Sequence, residues 1–195
     1  MKRFIFIQSV SSREFIVGEA IFSKIISNAT DVENIMVDSP YPVLSFEEMQ
    51  KIIETIANEM TNSDKLFICI DAHANGSTIY FKATNSSDTS NVVWERFEEI
   101  LNLLYNKFGK NALMIFVACC SASYFSTLES PHIPIIAAEG VINAWRAKKL
   151  LSVFYEELYN NSTIEQAYDA MIQEFPLEDE IKIEGNHKAV LKLFK

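Results

Sequence analysis

The sequence predicts an α/β protein, a three-layer α/β/α sandwich around a mostly parallel sheet. Three observations point there. Short, uniformly apolar runs recur along the chain, as in strands buried on both faces. Stretches with apolar residues at helical spacing alternate with those runs. The 195 residues are 49% apolar, enough for one domain with a sizeable core. No internal repeat, low-complexity tract or linker divides the chain, so residues 1–195 read as a single domain.

Each element has its own warrant. Phe4-Ile5-Phe6-Ile7 predicts a first buried strand, and Val17, Ala20, Ile21, Ile25 and Ile26 then fall on one face of a helix. Residues 34–38 predict a short strand, broken by Ser39-Pro40-Tyr41-Pro42. Ser45 with Glu48 three positions on is a capping box, opening a helix that runs to about Met60. Lys65 to Asp71 predicts a central strand, Ala74-Asn75-Gly76-Ser77 a turn, and Thr78 to Lys82 a short strand. Ala83 to Asn91 is polar and reads as a solvated loop, with a lid near the following chemistry as the sharper alternative. Val93 to Phe108 predicts an amphipathic helix, Leu113 to Ala118 and Ile133 to Ala137 two strands, and Ala144 to Tyr159 a helix with a wide apolar face. Ser162 to Phe175 predicts a last helix, with Ser162 and Glu165 at capping-box spacing. The tail, Ile181 to Phe194, fits either an edge strand or a helix.

Composition narrows the function. A net charge of −9 argues against a broad basic surface for nucleic acid. No apolar run approaches the ~20 residues of a membrane span. The opening stretch, Met1 to Gln8, is too short for a signal peptide. Cys69, Cys119 and Cys120 lie in or at the ends of apolar strands, as reduced thiols of a cytoplasmic protein do. The vicinal pair is not expected to form a bond. There is no glycine-rich phosphate loop and no Cys-x-x-Cys, and neither His132 nor His187 has an obvious partner, so neither cofactor nor metal is expected.

Two strand ends carry chemistry. Leu66-Phe67-Ile68-Cys69-Ile70-Asp71-Ala72-His73 runs an apolar strand into a histidine, and Leu113-Met114-Ile115-Phe116-Val117-Ala118-Cys119-Cys120 runs another into cysteine. Loops at the carboxyl ends of parallel strands line the active-site crevice of open α/β sheets. A cysteine beside a histidine suffices for thiolate nucleophilic catalysis. Cys69 is mid-strand and reads as a small core residue. Of the vicinal pair, one residue is expected to pack into the sheet layer and the other to face the crevice. Asp71, two before His73, is a candidate to orient the imidazole.

These residues resemble the caspase-like (clan CD) cysteine peptidases, most closely the small bacterial CHAT-type members. Those have an apolar strand ending in His-Gly, then a strand ending in small-small-Cys followed by small residues. Ile68 to His73 matches the first element and Val117 to Ser123 the second. The span from 73 to 120 is close to the roughly 50 residues that separate His and Cys in caspases. Ile133 to Gly140 looks like the next core strand, Ala147 to Leu158 like the family's long helix, and Ser162 to Ala167 like the start of its last helix. The similarity covers roughly residues 60–175. It implies a caspase-like fold and a cysteine endopeptidase acting on protein or peptide through a thioester, in a bacterial stress or defence setting, with an activating protein partner. It assigns the proton transfer to His73 and the nucleophile to Cys120, with Cys119 as the alternative. The backbone N–H groups of Ala74 and of Cys120 would hold the oxyanion. Where the family has glycine after the histidine this chain has Ala74, whose Cβ disfavours a positive φ. That substitution would also suit the competing reading, a catalytically silent domain that binds a protein partner. Members that cleave after Arg or Lys often carry Asp two residues before the cysteine. Here that position is Ala118, or Val117 if Cys119 is the nucleophile, so no strong basic preference is expected.

Overall fold

The computed structural model describes residues 1–10, 16–28, 34–82, 89–119, 121–128, 133–174 and 190–195. In chain order the elements are β1 (Lys2–Ser9), α1 (Val17–Asn28), β2 (Ile35–Val37), β3 (Tyr41–Pro42), α2 (Phe46–Glu59), β4 (Lys65–Ala74), β5 (Thr78–Lys82) and β6 (Thr89–Val93). They continue with α3 (Phe97–Phe108), β7 (Ala112–Val117), the single turn α4 (Ala122–Phe125), β8 (Ile135–Glu139), α5 (Ala144–Tyr159), α6 (Ile164–Glu174) and β9 (Val190–Phe194). The main sheet has the order β2-β1-β4-β7-β8-β9. All its pairs are parallel except the last, where β9 runs antiparallel to β8.

Strand alternation explains the three layers. In β4, Leu66, Ile68, Ile70 and Ala72 face one side and pack with α2 and α3. Phe67 and Cys69 face the other, against α1, α5 and α6. β7 divides the same way: Met114 and Phe116 to the first layer, Leu113, Ile115 and Val117 to the second. Both faces of the central strands are therefore dry, and this is why their sequences are apolar without a break. The expected three-layer α/β/α architecture with a mostly parallel sheet is the one found. Among the described residues no helix is long and apolar enough to cross a membrane.

Several boundaries shift, each for a local reason. β4 runs three residues past Asp71, because Ala72 still pairs with Ser9 of β1 and His73 and Ala74 enter an antiparallel ladder with β5. Thr89 to Asn91, read as loop, belong to β6, the partner of β5; residues 83–88 lie outside the described residues. The helix read from Val93 begins instead as a 3₁₀ turn, Trp94–Arg96. Residues three apart eclipse in such a turn, and Trp94 and Phe97 enter one aromatic cluster with ring centroids 5.5 Å apart. The tail resolves as an edge strand from Val190, with residues 175–189 outside those described.

The helix caps are partly as expected. Ser45 Oγ accepts from Glu48 N–H at 3.2 Å, and Glu48 reaches back to the N–H of Leu44 rather than that of Ser45. At α6 the box is formed one residue later than expected. Thr163 Oγ1 accepts from Gln166 N–H, and Gln166 Oε1 accepts from Thr163 N–H. Ser162 donates instead to Glu157, at 2.6 Å.

Candidate active site

The parallel register of β4 and β7 sets the site. Leu66 pairs with Ala112 and so on, residue by residue, to Asp71 with Val117. Two positions beyond that last pair stand His73, where β4 has begun to pair with β5, and Cys119, in the turn after β7, both at the carboxyl edge. They also share a face. Cys119 packs, half-buried, against the α1/α5 layer, as do Val117 and Ile115 before it. His73 follows Phe67 and Cys69 in the same alternation, whereas Ala74 packs on the opposite layer. His73 is exposed, and Cys119 Sγ lies 4.0 Å from the carbonyl oxygen of Ile142, in the loop after β8. Cys120 lies outside the described residues, as do His132 and His187.

The turn after His73 is held firmly. Asn75 Oδ1 accepts from the N–H groups of Ser77 and Thr78, both at 2.8 Å, and Asn75 Nδ2 donates to the Tyr80 hydroxyl. Trp94 Nε1 donates to Asn75 O at 3.1 Å, fastening the turn to the aromatic core. Ala74 is part of β4, and the described non-glycine residues with positive φ are Asn34 and Asn161. The alanine therefore sits in ordinary extended backbone, and the strain expected from its Cβ does not arise. Asn75 N–H bonds Thr78 O, so the bonded positions of the ladder recur at His73 and skip Ala74. The Ala74 N–H points out of the hairpin.

The turn after Cys119 is anchored by Ser121, which is fully buried. Its N–H donates to Ala118 O at 3.3 Å and its Oγ accepts from Ala138 N–H of β8 at 2.9 Å. The two turns meet: a Cβ added at Gly76 would stand 3.8 Å from Ser123 Cβ. The sequence marked Ser121 only as one of several small residues. Nothing in its spacing distinguishes an anchoring hydroxyl from a space-saving one.

Two other candidates are placed differently from their neighbours. Asp71 Oδ2 accepts from the N–H groups of Val17 at 2.7 Å and Gly18 at 3.4 Å, and the residue is buried. The carboxylate thus caps α1, where a negative charge meets the positive end of the helix. Asp71→Ala should leave buried N–H groups without this acceptor and lower stability by about 1–3 kcal/mol. A urea melt showing less than half a kilocalorie of loss would refute the capping role. Cys69 is fully buried, and burial, followed by the nearby Asp71 charge, pushes its thiol well above the usual range. Such a thiol is inert.

Among the described residues no group of three or more His, Cys, Asp or Glu side chains could hold a metal ion. No protein-family model matches the chain, and no curated protein matches it in sequence.

Proposed function

We propose that the protein is a cysteine endopeptidase in which Cys119 is the nucleophile and His73 moves the proton. One observation supports this reading: His73 and Cys119 each stand two residues past the Asp71–Val117 pair, at the carboxyl edge of neighbouring parallel strands. Cys119 Sγ, as thiolate, attacks the carbonyl carbon of a peptide bond, and the carbonyl electron pair moves onto oxygen. The Ala74 N–H, turned out of its hairpin, and the N–H of the nucleophilic residue are the donors for that oxyanion. The tetrahedral intermediate collapses to a thioester as the C–N bond breaks, and the His73 imidazolium gives its proton to the leaving amine. Water, deprotonated by His73, then releases the acid and the free thiol. The thiol chemistry suits a reducing, cytoplasmic setting. The likeness to CHAT-type peptidases adds a stress or defence role and a protein partner that switches the enzyme on.

The test is mass-spectrometric mapping of a cysteine-directed peptidyl electrophile on the native chain and on His73→Ala. Cys119 should label fast, the rate should fall at least tenfold without the imidazole, and Cys69 should stay unlabelled until the chain unfolds. Slow labelling that ignores His73 would overturn the assignment in favour of a catalytically silent, partner-binding domain.

A further inference from the structure

At the other end of the sheet from His73 and Cys119, the amino ends of β1 and β4 border a cavity of about 200 Å³. Lys2, Lys65, Lys110 and Lys195 all line it. The lining carboxylate, Glu165, is paired with Lys195 at 3.2 Å. The Lys2 ammonium donates to the carbonyl oxygen of Leu158. Among the described residues, Lys65 and Lys110 have no ion pair. Lys2 and Lys65 are register partners on neighbouring strands, and alternation puts both on the face that carries Phe4 and Phe67. Like charges side by side across a ladder are destabilising. Burial lowers the Lys2 pKa, and the neighbouring Lys65 charge lowers it further. In a chain of net charge −9, solubility does not call for positive charge gathered at one cavity.

We infer that this cavity binds a small polyanion of the phosphoanhydride class. Ammonium groups are point charges that suit phosphate oxygens. Only a ligand with several charged oxygens meets several lysines at once, so a simple carboxylate is a poor match. The volume falls below the roughly 300 Å³ at which pockets take drug-sized ligands, which favours a compact anion. Thr163 and Ile164, at the start of α6, also line the cavity and add the positive end of a helix dipole. The bound anion would neutralise the Lys2–Lys65 repulsion and tie β1, β4 and α6 together.

Inorganic pyrophosphate titrated into the full chain at low salt, followed by calorimetry, tests this. One saturable site per chain is expected, with no comparable signal from acetate. Lys65→Ala with Lys110→Ala should weaken binding at least tenfold. A charge-matched control on the α2/α3 side, Lys51→Ala with Arg96→Ala, should leave it unchanged. Without anion, Lys65→Ala alone should melt about 1–3 °C higher than the native chain, because Lys2 loses a like-charged neighbour. No saturable heat, equal binding by the lysine pair variant, an equal loss in the control, or a lower melting point for Lys65→Ala would each overturn the inference.

Discussion

Cys119→Ser is expected to lower peptide hydrolysis by about a thousandfold or more, while Cys120→Ser keeps it within a few-fold of the native rate. The difference follows from the proposed assignment: Cys119 packs with the α1/α5 layer, the face on which strand alternation places His73. The surroundings agree. Ser121 ties the turn to β8 through Ala138 N–H, and the Gly76 and Ser123 turns touch, so the loop that carries Cys119 is fixed against the loop that follows His73. Hydrolysis of a fluorogenic peptide library by the two single variants and the double variant decides the matter. Activity lost in Cys120→Ser and kept in Cys119→Ser would reverse the assignment. Activity lost only in the double variant would mean that either thiol reaches the imidazole and that the turn is looser than its hydrogen bonds indicate.

Much of the fold was legible because burial writes itself into sequence at a fixed period. The central strands are apolar on both faces, so Phe4 to Ile7, Leu66 to Ile70 and Leu113 to Val117 announce themselves. α5 was bounded correctly at both ends, since its apolar face is wide and Asn143 caps it, accepting from Trp145 N–H. What escaped was decided by contacts between distant residues. The extra length of β4 depends on a hairpin partner, and Thr89 to Asn91 become strand only because β5 lies beside them. At α6, Ser162 and Thr163 offer equivalent hydroxyls to the helix start. Glu157, one turn earlier in α5, takes the first and leaves the cap to the second. Of the candidate site, the two strand ends were legible as the ends of neighbouring parallel strands, while the pairing that makes them neighbours is one a linear sequence does not state; composition around the adjacent cysteines fits either as the nucleophile. Nor does the sequence around Asp71 state that one of its carboxylate oxygens holds a helix start 54 residues away.

Trp94 connects the core to the site, and its removal is the largest stability loss expected outside the chemistry. The indole is fully buried, with ring centroids 5.5 Å from Phe97, 5.5 Å from Phe116 and 5.6 Å from Phe125. Trp94→Ala should therefore cost about 3–5 kcal/mol and lower the melting temperature by roughly 6–20 °C for a domain of this size. A drop of only a degree or two would mean that the cluster collapses around the gap or that the ring is less enclosed than described. Trp94→Phe separates packing from positioning. It keeps most of the aromatic burial but removes the N–H that holds Asn75 O, a loss of about 1 kcal/mol in stability. The carbonyl it releases belongs to the turn directly after His73 and Ala74, where a shift of a few tenths of an ångström moves both the imidazole and the Ala74 N–H proposed as oxyanion donor. Catalytic geometry is more sensitive than stability to such a shift. Trp94→Phe should accordingly slow Cys119 labelling by about tenfold while the fold stays intact in thermal melts. Unchanged labelling at slightly reduced stability would assign the Trp94–Asn75 bond to the core alone, and the rigidity of the His73 turn would then have to come from Asn75 and its own hydrogen bonds.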